Sequence, residues 1–163
     1  MKLRSLKAHF KINGLIEFEN QTKHKNFKLE DATFTVYAHS KNVLHVSGVK
    51  SIFHLEKCKL ALKKKYEIVY MKIDNRLYSH KDSKSINMKN LYDQLCQKQK
   101  DGKFNTIYEP ELFPGLMIKH KNKSIPTAIV FRTGSYNIMG GNIENVCYIQ
   151  TFVKEMLDIN VNE

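Results

Sequence analysis

The sequence predicts an α+β protein of two tandem repeats, each with antiparallel strands and a helix that covers one face of the sheet. Each half contains strand-like runs with apolar residues at alternate positions, and each half ends in a run with apolar residues three and four positions apart. The predicted repeats span residues 1–66 and 67–163. The second repeat has an additional helix, for which the first repeat has no room.

The first predicted repeat begins with a strand at 6–18. Two strands follow within 33–48, and a polar turn at Ser40–Lys41–Asn42 joins them. Residues 49–66 are predicted to form an amphipathic helix, because apolar residues fall on one side and lysines on the other. The residues of its apolar side are Ile52, Leu55, Cys58 and Leu62.

The second predicted repeat begins with a strand at 66–78 and continues with a helix at 86–100. Two strands within 127–142 are joined by a turn at Thr133–Gly134–Ser135, and a helix follows at 143–159. The apolar side of the first of these helices is Met88, Leu91, Leu95 and Cys96, and that of the second is Ile143, Val146, Ile149, Val153 and Leu157.

A short internal repeat supports the division into two halves. The tetrapeptide KHKN occurs at 23–26 and again at 119–122, and a strand–turn–strand–helix series follows each copy. Helices on one face leave the other face of the sheet open, and that face should then be polar. Ile129 shares a face with Phe131, so part of the open face is apolar and calls for a partner.

The charge of the chain indicates the kind of partner. The 27 Lys and Arg residues exceed the 16 Asp and Glu residues, which gives a net charge of +11. A charge of this size favours a polyanionic partner, with nucleic acid ahead of an anionic membrane surface. No run is long and apolar enough for a membrane span, and residues 1–10 lack the core of a signal peptide, so we expect a soluble intracellular protein.

Other classes of protein are disfavoured by what the sequence lacks. The three cysteines are far apart, which argues against a disulfide framework or a zinc ribbon, and Cys58 and Cys147 are expected to be small core residues. The seven histidines have no metal-ligand spacing. Neither a glycine-rich phosphate loop nor a nucleophile elbow occurs, so we expect no enzyme, cofactor, metal or small-molecule substrate.

The stretch IYEPELFPGLMIK at 107–119 places a Leu-Phe pair on a Pro-Gly turn, although large apolar residues usually avoid loop tips. Within it, EPELFPGL at 109–116 resembles the second repeat of the TATA-binding protein family. KIDNRLYS at 72–79 is similar to the first strand of that repeat, and IVFRTGSYNIMGGN at 129–142 to its third and fourth strands. YAHSKNVLHVSGVK at 37–50 resembles the corresponding part of the first repeat.

The resemblance implies a saddle, in which two pseudo-symmetric repeats form one curved antiparallel sheet with helices on its convex face. In that family, phenylalanines wedge between base steps in the minor groove and kink the DNA. The resemblance makes Phe113 and Phe131 the wedge of the second repeat, with Leu112 and Pro114 on the same loop. Without the resemblance, Phe131 would be taken for a core residue.

The resemblance also implies roles for several polar residues. Asn75 matches an asparagine that donates to base edges in the minor groove, and Ile129 is expected on the same face as Phe131. Glu109 and Glu111 match acids that contact factor IIB. The lysines placed to meet phosphates are Lys119 and Lys121, together with Lys23, Lys25 and Lys50.

The first repeat departs from the family pattern, because it has no Phe-Pro-Gly. Its loop wedge is either Phe18 or Phe27, and its strand wedge is Tyr37, whose hydroxyl would need a partner between bases. Asn137 and Met139 in the second repeat replace a valine and a threonine of the family. These departures put the preference for a TATA sequence in question.

The expected function is that of a TATA-binding-protein-like initiation factor. It would bind and bend double-stranded AT-rich promoter DNA and recruit a TFIIB-like factor and RNA polymerase. The expected location is the nucleus, or a cytoplasmic viral factory if the chain comes from a large DNA virus. In the alternative function, the same fold serves as a protein-interaction platform with weak or partner-dependent DNA binding.

Overall fold

A computed structural model describes residues 1–18, 22–99, 102–140 and 143–161 of the chain. The described residues form nine strands and three helices, which confirms the predicted α+β class. The chain divides into two compact units. The first unit comprises Leu3–Arg76, and the second comprises Leu77–Glu163 together with Met1–Lys2.

The first unit has the strand order β2-β3-β4-β1-β5, with helix α1 packed on one face. Phe10 and Phe34 lie at the centre of its core, where their ring centroids are 5.9 Å apart. Leu55 of α1 is fully buried against the same cluster. Its elements are β1 (Lys2–Ile12), β2 (His24–Leu29), β3 (Ala32–Tyr37), β4 (Ser40–Val49), α1 (Ile52–Lys63) and the first part of β5 (Ile68–His80).

The second unit has the strand order β5-β9-β8-β7-β6 and contains two helices. Leu91, Val130 and Ile149 belong to one buried cluster, which joins both helices to the sheet. Its elements are the end of β5, then α2 (Met88–Lys98), β6 (Phe104–Ile107), β7 (Leu116–His120), β8 (Thr127–Val130), β9 (Tyr136–Met139) and α3 (Ile143–Ile159).

The boundary between the compact units lies inside β5, after Arg76. The sequence placed the boundary between the repeats at residue 66, just before this strand. The predicted boundary divides the sequence into repeats, whereas the observed boundary divides the chain by how its residues pack. β5 corresponds in topology to β1, each being the first strand of its half, but residues 68–76 pack with the first unit.

In each unit the sheet has a helix-covered face and an open face, defined here by the alternation of side chains along the strands. On β3, Phe34 and Val36 are fully buried, whereas Thr35 and Tyr37 alternate with them on the open face. On β7, Leu116 and Ile118 are fully buried and Met117 lies between them on the open face.

The three predicted helices are all present. α3 covers the predicted range 143–159, and α1 and α2 are slightly shorter than predicted. The start of α1 is fixed by Ser51, whose Oγ accepts a hydrogen bond from the backbone N–H of His54 at 3.0 Å. Asn87 caps α2 in the same way, through the N–H of Asn90 at 3.0 Å. Within the described residues, no helix has the length and apolar character needed to cross a membrane.

Two predictions of local structure are wrong. The turn between β3 and β4 is Ala38–His39, and Ser40–Lys41–Asn42 already belongs to β4. The two KHKN copies are not equivalent, because the first runs into the start of β2 whereas the second begins at the end of β7. The short polar repeat is therefore a coincidence of composition, although the two-repeat order that it suggested is present.

The helix ends also differ from the predicted apolar faces. Ile52 and Ile143 are the first residues of α1 and α3, and they are 47% and 67% exposed. Cys147 is exposed, so its assignment to the core is wrong. It lies one residue beyond the buried Val146, and one residue is about 100° around a helix. Cys58 is buried as predicted.

Candidate nucleic-acid interface

The loop before β7 presents two apolar side chains to solvent. Leu112 is 82% exposed and Phe113 is 42% exposed. The backbone carbonyl of Glu109 accepts hydrogen bonds from the N–H groups of Leu112 at 3.0 Å and Phe113 at 2.9 Å, which closes a single tight turn. Pro114 has no N–H to extend this turn, so the chain leaves it and enters β7.

Phe113 folds over the edge of the open face instead of entering the core. Its ring centroid lies 6.1 Å from that of Phe131, at an interplanar angle of 66°. A Cβ atom at position 115 would lie 2.5 Å from Cε1 of Phe113 and 2.6 Å from Cγ2 of Ile129. Gly115 is therefore required for space, since only a residue without a side chain leaves room for the two apolar groups.

Phe131 is the first residue of the turn between β8 and β9. Its N–H donates to the carbonyl of Ser135 at 2.9 Å, and its own carbonyl accepts from the N–H of Gly134 at 2.9 Å. Phe131 is half-buried, whereas Ile129 beneath the loop is only 8% exposed. The structure thus brings together Phe113, Phe131 and Ile129, which the sequence predicted to act on one face.

The cluster continues as a row of side chains across the open face of the second unit. In the strand register, Ile107 lies opposite Met117, Met117 opposite Ile129, and Ile129 opposite Asn137. Four strands contribute one residue each, and three of the four side chains are apolar. Asn137 places a single amide in this row, and Met139 lies two residues further along the same strand.

The charged candidates of the second unit surround this row. Lys119 is exposed on the open face of β7, opposite Asn105. Lys121 is exposed just beyond the strand, where its N–H donates to the carbonyl of Lys103 at 2.8 Å. Glu109 and Glu111 are both exposed on the loop that carries Phe113. Acidic and apolar groups are thus neighbours on one short segment.

The open face of the first unit has a different chemistry. Tyr37 is 38% exposed, and its ring is stacked on His39 with centroids 5.5 Å apart. The ring of His45 meets Tyr37 edge-on at 5.5 Å, and that of His24 lies 6.3 Å away. Tyr37 is therefore packed among three imidazoles, whereas Phe113 and Phe131 of the second unit pack on each other.

The two wedge candidates of the first repeat have different surroundings. The ring of Phe27 is stacked on the fully buried Phe34, with centroids 5.4 Å apart and planes at 7°. Phe27 therefore faces the helix-covered side, and its assignment as a wedge is wrong. Phe18 lies in the connection between β1 and β2, half-buried against the core, with Lys41 Nζ 6.0 Å from its ring centroid. Phe18 thus packs against the same core as Phe27, and its role as a wedge stays a prediction.

The remaining predicted DNA-binding residues are not part of the aromatic groups around Phe113 and Tyr37. Asn75 is half-buried in β5 beside Asp74. Lys50 is exposed between β4 and α1, and Lys23 is exposed before β2, where its carbonyl accepts from the N–H of Ala38 at 3.0 Å. Lys25 is exposed on β2 and shares the face of Phe27, away from the open face.

Sequence reasoning missed a second group on the open face of the first unit. His9 Nδ1 lies 2.7 Å from Asp74 Oδ1, and its ring is 5.9 Å from that of His45 and 5.7 Å from that of Tyr70. The available signal was alternation along β1, where Lys7, His9 and Lys11 lie between buried apolar residues. Among the described residues, no group of three or more His, Cys, Asp or Glu side chains could hold a metal ion.

The fold and the open faces define the class of the protein as an α+β chain of two strand–helix repeats with exposed aromatic side chains. The family model described as "Transcription factor TFIID (or TATA-binding protein, TBP)" matches residues 70–159, more than half of the chain. The chain therefore belongs to the TATA-binding protein family. It is a TBP-like transcription factor by family, and this family is not one of enzymes.

Comparison with solved structures gives the same fold. The structure of Methanococcus jannaschii TBP is similar with a TM-score of 0.71 and 18% sequence identity, over 96% of this chain and 97% of that one. At this identity the likeness concerns the fold alone. No curated protein matches the sequence.

Proposed function

We propose that the chain is a transcription initiation factor that binds AT-rich promoter DNA in the minor groove and bends it. The observation that carries the proposal is the contact between Phe113 and Phe131, whose rings lie 6.1 Å apart at one end of an apolar row on the open face. Wedges of this kind separate base steps because an aromatic ring replaces part of the lost stacking.

The charge and the surrounding groups agree with this role. The net charge of +11 favours a polyanion, and Lys119 and Lys121 lie beside the row, where the DNA backbone would pass. Asn137 supplies a side-chain amide next to Ile129, and amide donors suit the acceptors on the floor of the minor groove. In this proposal the amide of Asn75 also donates to base edges in the minor groove.

We further propose that a TFIIB-like factor contacts Glu109 and Glu111 and that RNA polymerase is recruited through it. Both acids are exposed on the loop that carries the wedge. Carboxylates repel the DNA backbone, so their place on this basic chain suits a protein partner that meets them once DNA is bound.

The polar open face of the first unit favours a second function, that of a protein-interaction platform. Three histidine rings pack on Tyr37, and these polar surroundings differ from the apolar row beside Phe113 and Phe131. Bending a site of 20–30 base pairs costs of order 1–6 kcal/mol, so a chain with one wedge pair could require a partner for DNA binding.

The test is a fluorescence-transfer bending assay with end-labelled AT-rich and GC-rich duplexes, with and without a TFIIB-like factor. We expect the AT-rich duplex to bend, and we expect Phe113→Ala and Phe131→Ala to abolish this. Ile52→Ala is the matched control, because Ile52 is an exposed apolar residue of α1 far from the loop in sequence. No bending by the folded wild-type protein under any condition would refute the initiation-factor proposal and leave the platform.

A further inference from the structure

A cleft of about 300 Å³ lies on the open face of the first unit, over strands β1, β3 and β4. Its lining includes the buried Ala8 and Val46. Its walls are polar and consist of Lys7, Thr35, Tyr37, His45, Ser47 and Asp74. None of these residues belongs to the wedge of the second unit.

Three of the wall residues offer donors that the protein itself does not use. Among the described residues, Lys7 has no carboxylate within ion-pair distance, in contrast to Lys59, which lies 3.4 Å from Glu56. Within the residues that the structure describes, the hydroxyls of Thr35 and Ser47 likewise make no hydrogen bond to protein. A cation and two hydroxyls without internal partners are a donor set that an anionic oxygen can fill.

The strand register explains why these groups converge. Thr35 is directly opposite His45, and Ser47 lies opposite Thr33 on the next row. The register between β1 and β4 shifts between Leu6 and Ala8, opposite a bulge that contains Gly48 at φ +79°. Alternation along β1 places Lys7 on the open face between the buried Leu6 and Ala8, and the bulge at Ser47 and Gly48 lies opposite it on β4.

Asp74 is the one acidic group among the lining residues, and one of its oxygens is within hydrogen-bond distance of an imidazole. Its Oδ1 lies 2.7 Å from Nδ1 of His9, which occupies the neighbouring position on the open face. Lys11 lies on the same face of β1, two residues beyond His9. The surroundings of the cleft are therefore basic on balance.

We propose that this cleft binds a phosphodiester group of a nucleic-acid backbone, held by Lys7, Thr35, His45 and Ser47. The inference rests on the proposed function and deepens it, because it assigns different roles to the two units. The first unit holds the duplex by its backbone, whereas the second inserts rings between bases. Tyr37 then serves as a wall of the phosphate site, packed by histidines, and not as a wedge.

The first experiment measures how DNA affinity depends on salt concentration. Each phosphate contact contributes about −0.9 to the slope of log K against log salt. The double variant Lys7→Ala/Ser47→Ala should reduce the slope by about one and weaken binding to AT-rich and GC-rich duplexes alike. Lys59→Ala removes the same charge from α1 on the helix-covered face, and it should leave the slope unchanged. An unchanged slope in the folded double variant overturns the proposal.

Phe113→Ala separates this inference from the proposed function. It should abolish bending and keep the contribution of the cleft to the salt slope. If Lys7→Ala/Ser47→Ala bends DNA normally and has the same salt slope as the wild-type protein, the phosphate site in the cleft is wrong and the wedge proposal stands. If the wild-type protein binds no DNA at all, the proposed function is wrong. Titration with dimethyl phosphate and with inorganic phosphate then tests the cleft.

The second experiment follows the imidazole signals of His45 by nuclear magnetic resonance during titration with dimethyl phosphate, inorganic phosphate or a short duplex. A shift with dimethyl phosphate and with the duplex that Lys7→Ala removes supports the phosphodiester site. Saturation by inorganic phosphate at a concentration as low as that of the duplex would mean a free-phosphate site and would overturn the backbone assignment. No shift with any ligand overturns the site itself.

Discussion

The aromatic rings of Phe113 and Phe131 lie 6.1 Å apart at 66°, although 17 residues and two strands separate them along the chain. The contact is possible because position 115 has no side chain. One residue comes from a loop and the other from a hairpin turn, so each ring is supported by its own backbone hydrogen bonds. If the two rings insert between bases as proposed, their arrangement is already formed in the free protein, which reduces the entropy that binding must overcome.

Gly115→Ala is expected to impair DNA bending without unfolding the protein. The added Cβ would lie 2.5 Å from Cε1 of Phe113 and 2.6 Å from Cγ2 of Ile129, so both side chains must shift. The ring at the loop tip can swing outward, whereas Ile129 is only 8% exposed, so the free energy of unfolding should fall by about 1–3 kcal/mol. Fluorescence transfer and thermal unfolding would measure the two effects.

Gly14→Ala is the matched control for that substitution. Gly14 has φ +94°, and nothing lies within 4 Å of the point that an added Cβ would occupy, so alanine there costs backbone strain and touches no ring. It should lower stability by about 1 kcal/mol and leave bending intact. Normal bending by Gly115→Ala would show that the close packing of Phe113 on Ile129 is not needed for function.

Phe113→Ala should have little effect on stability, in contrast to a core phenylalanine. Phe113 is 42% exposed, so its removal should cost at most about 1.5 kcal/mol of unfolding free energy. Phe104 is 8% exposed and stacked on Phe152 at 4.4 Å, and Phe104→Ala should cost about 3–5 kcal/mol. Denaturant unfolding would measure the loss of unfolding free energy in the two variants. Equal losses would mean that Phe113 is a core residue.

The cysteines should differ strongly in their reactivity with a thiol reagent. Burial raises the pKa of the Cys58 thiol, and the neighbouring charge of Glu30 acts in the same direction. The reactive species is the thiolate, so Cys58 should stay unmodified in the native protein at pH 8, whereas the exposed Cys147 should react quickly.

Mass spectrometry of alkylated peptides over time would measure this difference. Cys147→Ser should remove the fast phase, and unfolding in denaturant should make Cys58 accessible. Fast modification of Cys58 in the folded protein would mean that α1 separates readily from its sheet.

The C-terminal end of α3 is held to α2 by a buried amide. Asn160 is 2% exposed, its Nδ2 donates to Gln94 Oε1 at 3.0 Å, and its Oδ1 accepts from Asn90 at 2.8 Å. Asn160→Ala removes these bonds and the one that Nδ2 donates to the carbonyl of the buried Met156 at 2.8 Å, and should cost about 1–3 kcal/mol of unfolding free energy. Asn26→Ala on the exposed part of β2 should change it by less than about 0.5 kcal/mol. Denaturant unfolding checks both values, and equal stabilities would contradict a structural role for the amide.

The helices and most strands could be predicted because their residues repeat at a fixed period. α3 is the best case, since four of its five predicted apolar residues are buried. Helix ends were less predictable, because Ile52 and Ile143 continue the apolar pattern although both are exposed. The β3–β4 turn was misplaced, because Ser40–Lys41–Asn42 has a polar, turn-like composition, whereas the pairing of Tyr37 with Ser40 leaves only two residues for the turn.

The candidate site could be predicted only in part. A sequence with EPELFPGL points to Phe113, but it does not show that Gly115 makes room for the ring. The face of Phe27 was readable from β2, since Phe27 and Leu29 alternate with the polar His24, Asn26 and Lys28, whereas its stacking on Phe34 of the neighbouring strand was not. The cleft of the first unit lies beside a shift of register at Gly48, and such a shift leaves no periodic signal in the chain.

The unequal chemistry of the two open faces bears on the orientation in which a DNA duplex would be bound. A protein with two equal repeats would hold a duplex equally well either way round. Here one repeat offers phenylalanine and methionine, and the other offers lysine, histidine and hydroxyl groups. Reversing the DNA would move its most deformable step away from the rings, and that step depends on the base sequence. If the chain bends promoter DNA as proposed, a promoter with one such step would therefore be bound in one orientation.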